Sequence, residues 1–139
     1  MRKDLLYIDS NVFLYPVLYD SEAVVEARKS KEFLLKIAQG GVEACTATVT
    51  WDEVVWVIRK IFAFDPSMEV GKKLLSFPNL RLLGVKNGTI YTAQELMEKY
   101  KIKPRDAIHA ATALENKVTE IVSYDKDFDE INGINRTEP

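Results

Sequence analysis

The sequence predicts an α/β protein of three layers, α/β/α, with a short, mainly parallel central sheet of four or five strands, in one domain spanning residues 1–139. Three observations predict it. Short apolar runs alternate with longer segments of helical period, which is the pattern of strand, crossover helix, strand. A length of 139 residues at 47% apolar content suits one real core. Acidic residues also stand where apolar runs end, at Asp9 and Asp125, and in parallel sheets ligands bind beyond the carboxyl ends of the strands.

Leu5, Leu6, Tyr7 and Ile8 read as a buried strand that runs through Asp9 and Ser10 into a helix bearing Val12, Phe13, Leu14 and Val17. Residues 22–39 place Ala23, Ala27, Leu34, Ile37 and Ala38 roughly on one face among charges, and Gly40-Gly41 ends that helix. Residues 43–48 suit a second strand. Residues 50–62 then read as a helix apolar almost all round, carrying Trp51, Val54, Val55, Trp56, Val57, Ile58 and Ile61. Such a helix is largely buried, against the sheet or a partner, and its two tryptophans are expected in the core rather than stacking bases or filling a dimer interface. Asp65-Pro66 opens a helix to about Phe77, Pro78-Asn79 turns the chain, and residues 80–85 supply the third strand. Residues 89–100 are helical by pattern, Pro104 fits the first turn of a helix reaching about Asn116, and Ile121-Val122 make the fourth strand. The last stretch, 134–139, is short and polar.

Composition excludes several chemistries. Cys45 is the only cysteine and His109 the only histidine, so an internal disulfide, a thiolate cluster and a His-rich zinc site are all ruled out. Any metal must be held by oxygen, which favours Mg²⁺ or Mn²⁺. Nineteen basic against 21 acidic residues give a net charge of −2, so nucleic acid would have to be attracted by local patches and metal ions. The longest uncharged apolar run, residues 12–19, is too short to span a bilayer and contains Pro16, and no signal-peptide pattern opens the chain. A cytoplasmic protein with no membrane contact is expected.

Four acids, Asp9, Glu53, Asp106 and Asp125, fall at element boundaries, and each has a structural explanation of its own. Asp9 can cap the following helix. Asn11 stands where a phospho-aspartate phosphatase would need a second acid to protonate its leaving group, so a metal ligand fits Asp9 better than a nucleophile. Thr50-x-x-Glu53 has the pattern of a capping box. Asp106 suits the dipole of its helix, with His109, Ala110 and Ala113 as helical neighbours; the alanines leave room for a metal or a substrate backbone, and His109 serves as a hydrogen-bonded packing residue within reach of a phosphate. Asp125 can form an Asx-type turn, with Asp127 and Asp129 solvated or capping. Together the four weigh more than singly. Carboxylates about 5 Å apart repel by roughly 3 kcal/mol per pair at an effective dielectric of 20. A divalent ion relieves that repulsion and supports hydrolysis of a phosphodiester.

Four blocks carry a family resemblance: Tyr-Ile-Asp-Ser-Asn-Val-Phe-Leu-Tyr at 7–15, Thr-x-x-Glu-Val at 50–54, Lys-Pro-Arg-Asp-Ala-Ile-His-Ala-Ala-Thr-Ala-Leu at 103–114, and Ile-Val-Ser-Tyr-Asp-Lys-Asp-Phe-Asp at 121–129. They resemble the PIN-domain ribonucleases, especially the VapC-like toxin branch, nearly end to end. The resemblance implies an acidic quartet of Asp9, Glu53, Asp106 and Asp125 holding one or two Mg²⁺ or Mn²⁺ ions, Asn11 and Ser123 as supporting polar residues, and Asp127 binding a second ion through water. It further implies cleavage of single-stranded RNA by a metal-activated water, a homodimer, and silencing by a small antitoxin.

Lys99, Lys101, Lys103 and Arg105 form the densest basic segment and lead into Asp106. They either favour a helix C-terminus or, through Lys103 and Arg105, guide an RNA backbone; Arg59 and Lys60 are weaker candidates. Three other functions stay open at this point. A housekeeping RNA-processing nuclease would share the chemistry. A receiver-type signalling domain wants an acid after strand three, where Lys86-Asn87 stands. A non-catalytic module binding through residues 51–62 predicts no loss of function on Asp9→Asn.

Overall fold

The computed structural model describes residues 5–139. In chain order the elements are β1 (Leu5–Ile8), α1 (Ser10–Leu18), α2 (Val25–Ala38), β2 (Glu43–Ala47), α3 (Val49–Ile61), α4 (Phe64–Leu75), β3 (Leu80–Leu83), α5 (Asn87–Tyr100), α6 (Pro104–Glu115), β4 (Glu120–Val122) and β5 (Asn135–Thr137), with a 3-10 turn at Lys126–Glu130 before β5. The five strands form one parallel sheet ordered β3-β2-β1-β4-β5. This is the α/β architecture the alternating runs predict, and the polar tail supplies the fifth strand.

Strand alternation makes both sheet faces apolar. From β1, Tyr7 packs with Cys45, Ile121 and the alanines of α6 on one face, while Ile8 packs with Val12, Ile37, Val54, Ile58 and Val122 on the other. Helices α5 and α6 therefore cover the first face, and α1 to α4 the second. Ala107, Ala110, Ala111 and Ala113 are wholly buried. Ala110 and Ala113 bring α6 close to the sheet rather than leaving room for a substrate, which corrects one expectation. A second correction concerns α3. Only Val54, Val55 and Ile58 of its apolar residues are buried; Trp51 is 38% exposed and Trp56 53%, and Ile61, Phe62 and Phe64 join them at the surface. Among the described residues, no helix is long and apolar enough to cross a membrane.

The order of the strands decides where a site can form. The chain adds β2 and β3 on one side of β1 and β4 and β5 on the other, so the connections leaving β1 and β4 diverge. Beyond that switch point a crevice opens at the carboxyl ends. Asp9 directly follows β1, Ser123 directly follows β4, and the Asp9 amide still donates to Val122 O at 3.0 Å.

Candidate metal centre

Asp9 is the N-cap of α1: one oxygen accepts from the Ser10 amide at 2.8 Å, and the other accepts from the Ser123 hydroxyl at 2.6 Å. Ser123 Oγ in turn accepts from Asn11 Nδ2 at 3.3 Å and from the Asp125 amide at 2.9 Å. Asn11 and Ser123 thus tie the turn after β1 to the turn after β4. Asp125 caps the 3-10 turn by accepting from the Asp127 amide at 2.9 Å, the Asx geometry its sequence suggests. Arg136 on β5 clamps the same loop, donating to Ser123 O at 3.0 Å and to Asp129 Oδ1 at 2.9 Å. The polar last strand therefore holds the acidic loop, and Asp129 serves that clamp.

Asp106 lies in the first turn of α6, opened by Pro104, and is 8% exposed. It meets Asp125 and Asp127, and one carboxylate oxygen from each of the three lies within 4.8 Å of the others. Asp106 Oδ2 is buried with no hydrogen-bond partner, alone in that respect among the described residues. Burial, then the Asp125 and Asp9 carboxylates, push the Asp106 pKa up to about 8. Three clustered acids, one of them with a buried, partnerless oxygen, match an oxygen-ligated divalent cation, and the absence of any nitrogen or sulfur in the set suits Mg²⁺ or Mn²⁺.

Glu53 sits differently. The capping box its sequence suggests does not form, because α3 starts two residues earlier: Thr48 is the N-cap, Thr50 is buried and shares a 2.6 Å hydrogen bond with Thr46, and Glu53 falls in the second turn. Its carboxylate reaches across the sheet edge instead. Oε2 accepts from the Ser10 hydroxyl at 2.9 Å, and Oε1 lies 2.5 Å from His109 Nε2. Burial works against the Glu53 charge, but the His109 and Ser10 hydrogen bonds outweigh it and hold the carboxyl below its usual range. Asp9 Oδ1 is 3.5 Å from the same Nε2; there burial wins, and the Asp9 pKa is raised. For His109 burial opposes the charge, while the Glu53 hydrogen bond and the surrounding carboxylates prevail and raise its pKa.

The structure brings all four sequence-predicted acids to one rim, in two groups. Asp106, Asp125 and Asp127 share the open cluster, and Asp9 and Glu53 are satisfied by protein donors. His109 is 0% exposed, so it packs and hydrogen-bonds as expected but offers no nitrogen to a phosphate, which overturns its candidacy as an RNA contact. Lys103 and Arg105 are exposed at the start of α6, with Arg105 3.6 Å from Asp52 of α3. Two residues escaped the sequence reading. Ser10 bridges Asp9 and Glu53, a role its place beside Asp9 in the strand-to-helix turn could have signalled; Tyr7 holds His109, and nothing local in a strand tyrosine marks that.

The sequence model of the PIN domain family matches residues 6–134. The chain belongs to the PIN domain family. Ribonuclease VapC2 of Methanocaldococcus jannaschii is 24% identical over 133 residues, covering 92% of this chain and 89% of that protein. Among solved structures, VapC20 of Mycobacterium tuberculosis, a toxin that cleaves the sarcin-ricin loop, superposes with a TM-score of 0.75 at 14% identity, covering 96% of this chain and 99% of that one. VapBC2 of Rickettsia felis, bound to a DNA fragment from its promoter, superposes with a TM-score of 0.73 at 13% identity, covering 96% and 98%. This PIN chain thus keeps the fold of VapC proteins over nearly its whole length.

Proposed function

We propose that the protein is a metal-dependent endoribonuclease that hydrolyses phosphodiester bonds of single-stranded RNA, acting as the toxin of a toxin-antitoxin pair. The observation that carries this reading is the buried, unpartnered Oδ2 of Asp106, a carboxylate that clusters with Asp125 and Asp127 at the switch point of a PIN sheet. Asp106, Asp125 and Asp127 would hold a Mg²⁺ or Mn²⁺ ion, with Asp9 and Glu53 completing the acidic rim. Bound there, a divalent ion lowers the pKa of water and stabilises charge developing on a scissile phosphate.

The chain's own residues do the rest. Ser123 and Asn11 fix the two turns that carry Asp9 and Asp125. Lys103 and Arg105 stand at the start of the helix that carries Asp106, where they would contact a phosphate backbone and position RNA without reading its sequence. A small antitoxin is the proposed partner, in keeping with the VapBC and toxin-antitoxin complexes among the structural relatives. The apolar groove lined by Phe13, Val17, Leu34, Val70, Leu74 and Phe77 offers such a partner an apolar seat. The exposed Trp56, Ile61, Phe62 and Phe64 suit a homodimer contact. One domain working in the cytoplasm completes the proposal. The test is cleavage of a single-stranded RNA with Mg²⁺, Mn²⁺ or EDTA, comparing wild type with Asp106→Asn. Cleavage in metal that chelation and the substitution both abolish supports the reading; cleavage that survives both ends it.

A further inference from the structure

We infer that His109 is a positioning residue: braced at Nδ1 by the Tyr7 hydroxyl, it donates through Nε2 to Glu53 and keeps that carboxylate beside Asp9, at the rim of the metal site. The ring is wholly buried, so both nitrogens must find protein partners, and both do. Tyr7 Oη accepts from the Ala47 amide at 3.2 Å and lies 2.6 Å from His109 Nδ1. A phenol that already accepts one hydrogen bond still has its own proton to give, and Nδ1 is the acceptor it faces. With Nδ1 accepting, the ring proton sits on Nε2, which faces Glu53 Oε1 at 2.5 Å. Because the Ser10 hydroxyl serves Oε2, both Glu53 oxygens are satisfied by protein donors, in contrast to Asp106 Oδ2.

The brace spans the sheet. Tyr7 belongs to β1, Ala47 ends β2 and His109 stands on α6, and the Tyr7 and His109 rings meet edge to face with centroids 5.6 Å apart. One turn of α6 therefore does two things: it presents Asp106 to the open cluster and carries the donor that places Glu53. Partners of this kind orient acids around a metal, and their loss typically weakens metal binding by about 10 to 100-fold. The inference rests on the nuclease reading only in taking Glu53 as part of the metal site.

The chain's single histidine makes the test direct. Long-range ¹H–¹⁵N spectra of the metal-free protein, labelled in histidine, will show a proton on Nε2, and Tyr7→Phe will move the Nδ1 resonance while leaving the Nε2 proton in place. A ring protonated at Nδ1, with or without a proton on Nε2, or an Nδ1 resonance unmoved by Tyr7→Phe, overturns the inference. In the second arm Mn²⁺ affinity is measured by calorimetry without RNA. His109→Gln, which retains an amide donor, is expected to bind within about threefold of wild type, and His109→Leu at least about tenfold more weakly. Equal affinity in wild type and both variants overturns the inference, and the spectra decide it alone if His109→Leu does not fold. A wild-type protein that cleaves no RNA sinks the nuclease reading and leaves the imidazole result standing.

Discussion

Replacing Asp106 by Asn should make the metal-free protein more stable, and increasingly so as pH rises. Burial and two neighbouring carboxylates hold the Asp106 pKa near 8, far above a free aspartate. The folded protein therefore keeps a proton that the unfolded chain releases above about pH 4. Stability from this group is fully present below about pH 4 and is lost progressively as pH rises toward 8. At pH 7 the loss is at most about 4 kcal/mol at 1.36 kcal/mol per pKa unit, and solvent and counterions reduce it to about 2 kcal/mol. Asn carries no charge, so Asp106→Asn escapes the loss. Thermal unfolding in EDTA should place its Tm about 6 °C above wild type at pH 7.5 and close to it at pH 4.5. Mn²⁺ should reverse the order at pH 7.5, because an ion at about 100 times its Kd stabilises only the protein that binds it, by about 2.7 kcal/mol. A Tm difference that does not change with pH, or equal stabilisation of both proteins by Mn²⁺, would refute the reasoning.

Three further predictions concern the surroundings of the acids. Replacing Lys103 and Arg105 together by Ala should flatten the dependence of log affinity on log salt for a non-cleaved RNA by about 1 to 2, and an unchanged slope would remove them from the RNA path. Arg136→Ala removes the clamp on Ser123 O and Asp129, so unfolding by urea should show a loss of about 2 kcal/mol, and hydrogen exchange should quicken in residues 124–130. Trp56→Glu places a charge on the exposed ridge of α3, where Trp56 is 53% exposed, and light scattering should show the proposed homodimer shifted to monomer without loss of helix signal.

The strand and helix order was legible because alternating strand faces and 3.6-residue periodicity are local signals, and the acids were legible because three of them stand at element ends. Asp106 combined a helix-opening proline with buried alanines, a pattern readable within one turn. What could not be read depends on distant pairings. Tyr7 and His109 lie 102 residues apart, and His109 and Glu53 lie 56 apart, so only folding reveals the brace. Glu53 looked like half of a capping box because residue spacing is the same whether its side chain reaches back to a cap amide or across to another element. The exposure of Trp56 was hidden for a similar reason: a helix apolar all round does not say which side meets the sheet. In β5, three polar residues gave no apolar alternation; the strand forms through its ladder to β4 and through Arg136.

A Mn²⁺ soak of the crystallised protein, read by anomalous scattering, tests the central claim most directly. The account predicts a peak about 2.0–2.3 Å from Asp106 Oδ2, in contact with Asp125 or Asp127 and missing in Asp106→Asn. A fully occupied ion elsewhere, or no peak among these three acids at saturating Mn²⁺, would contradict it.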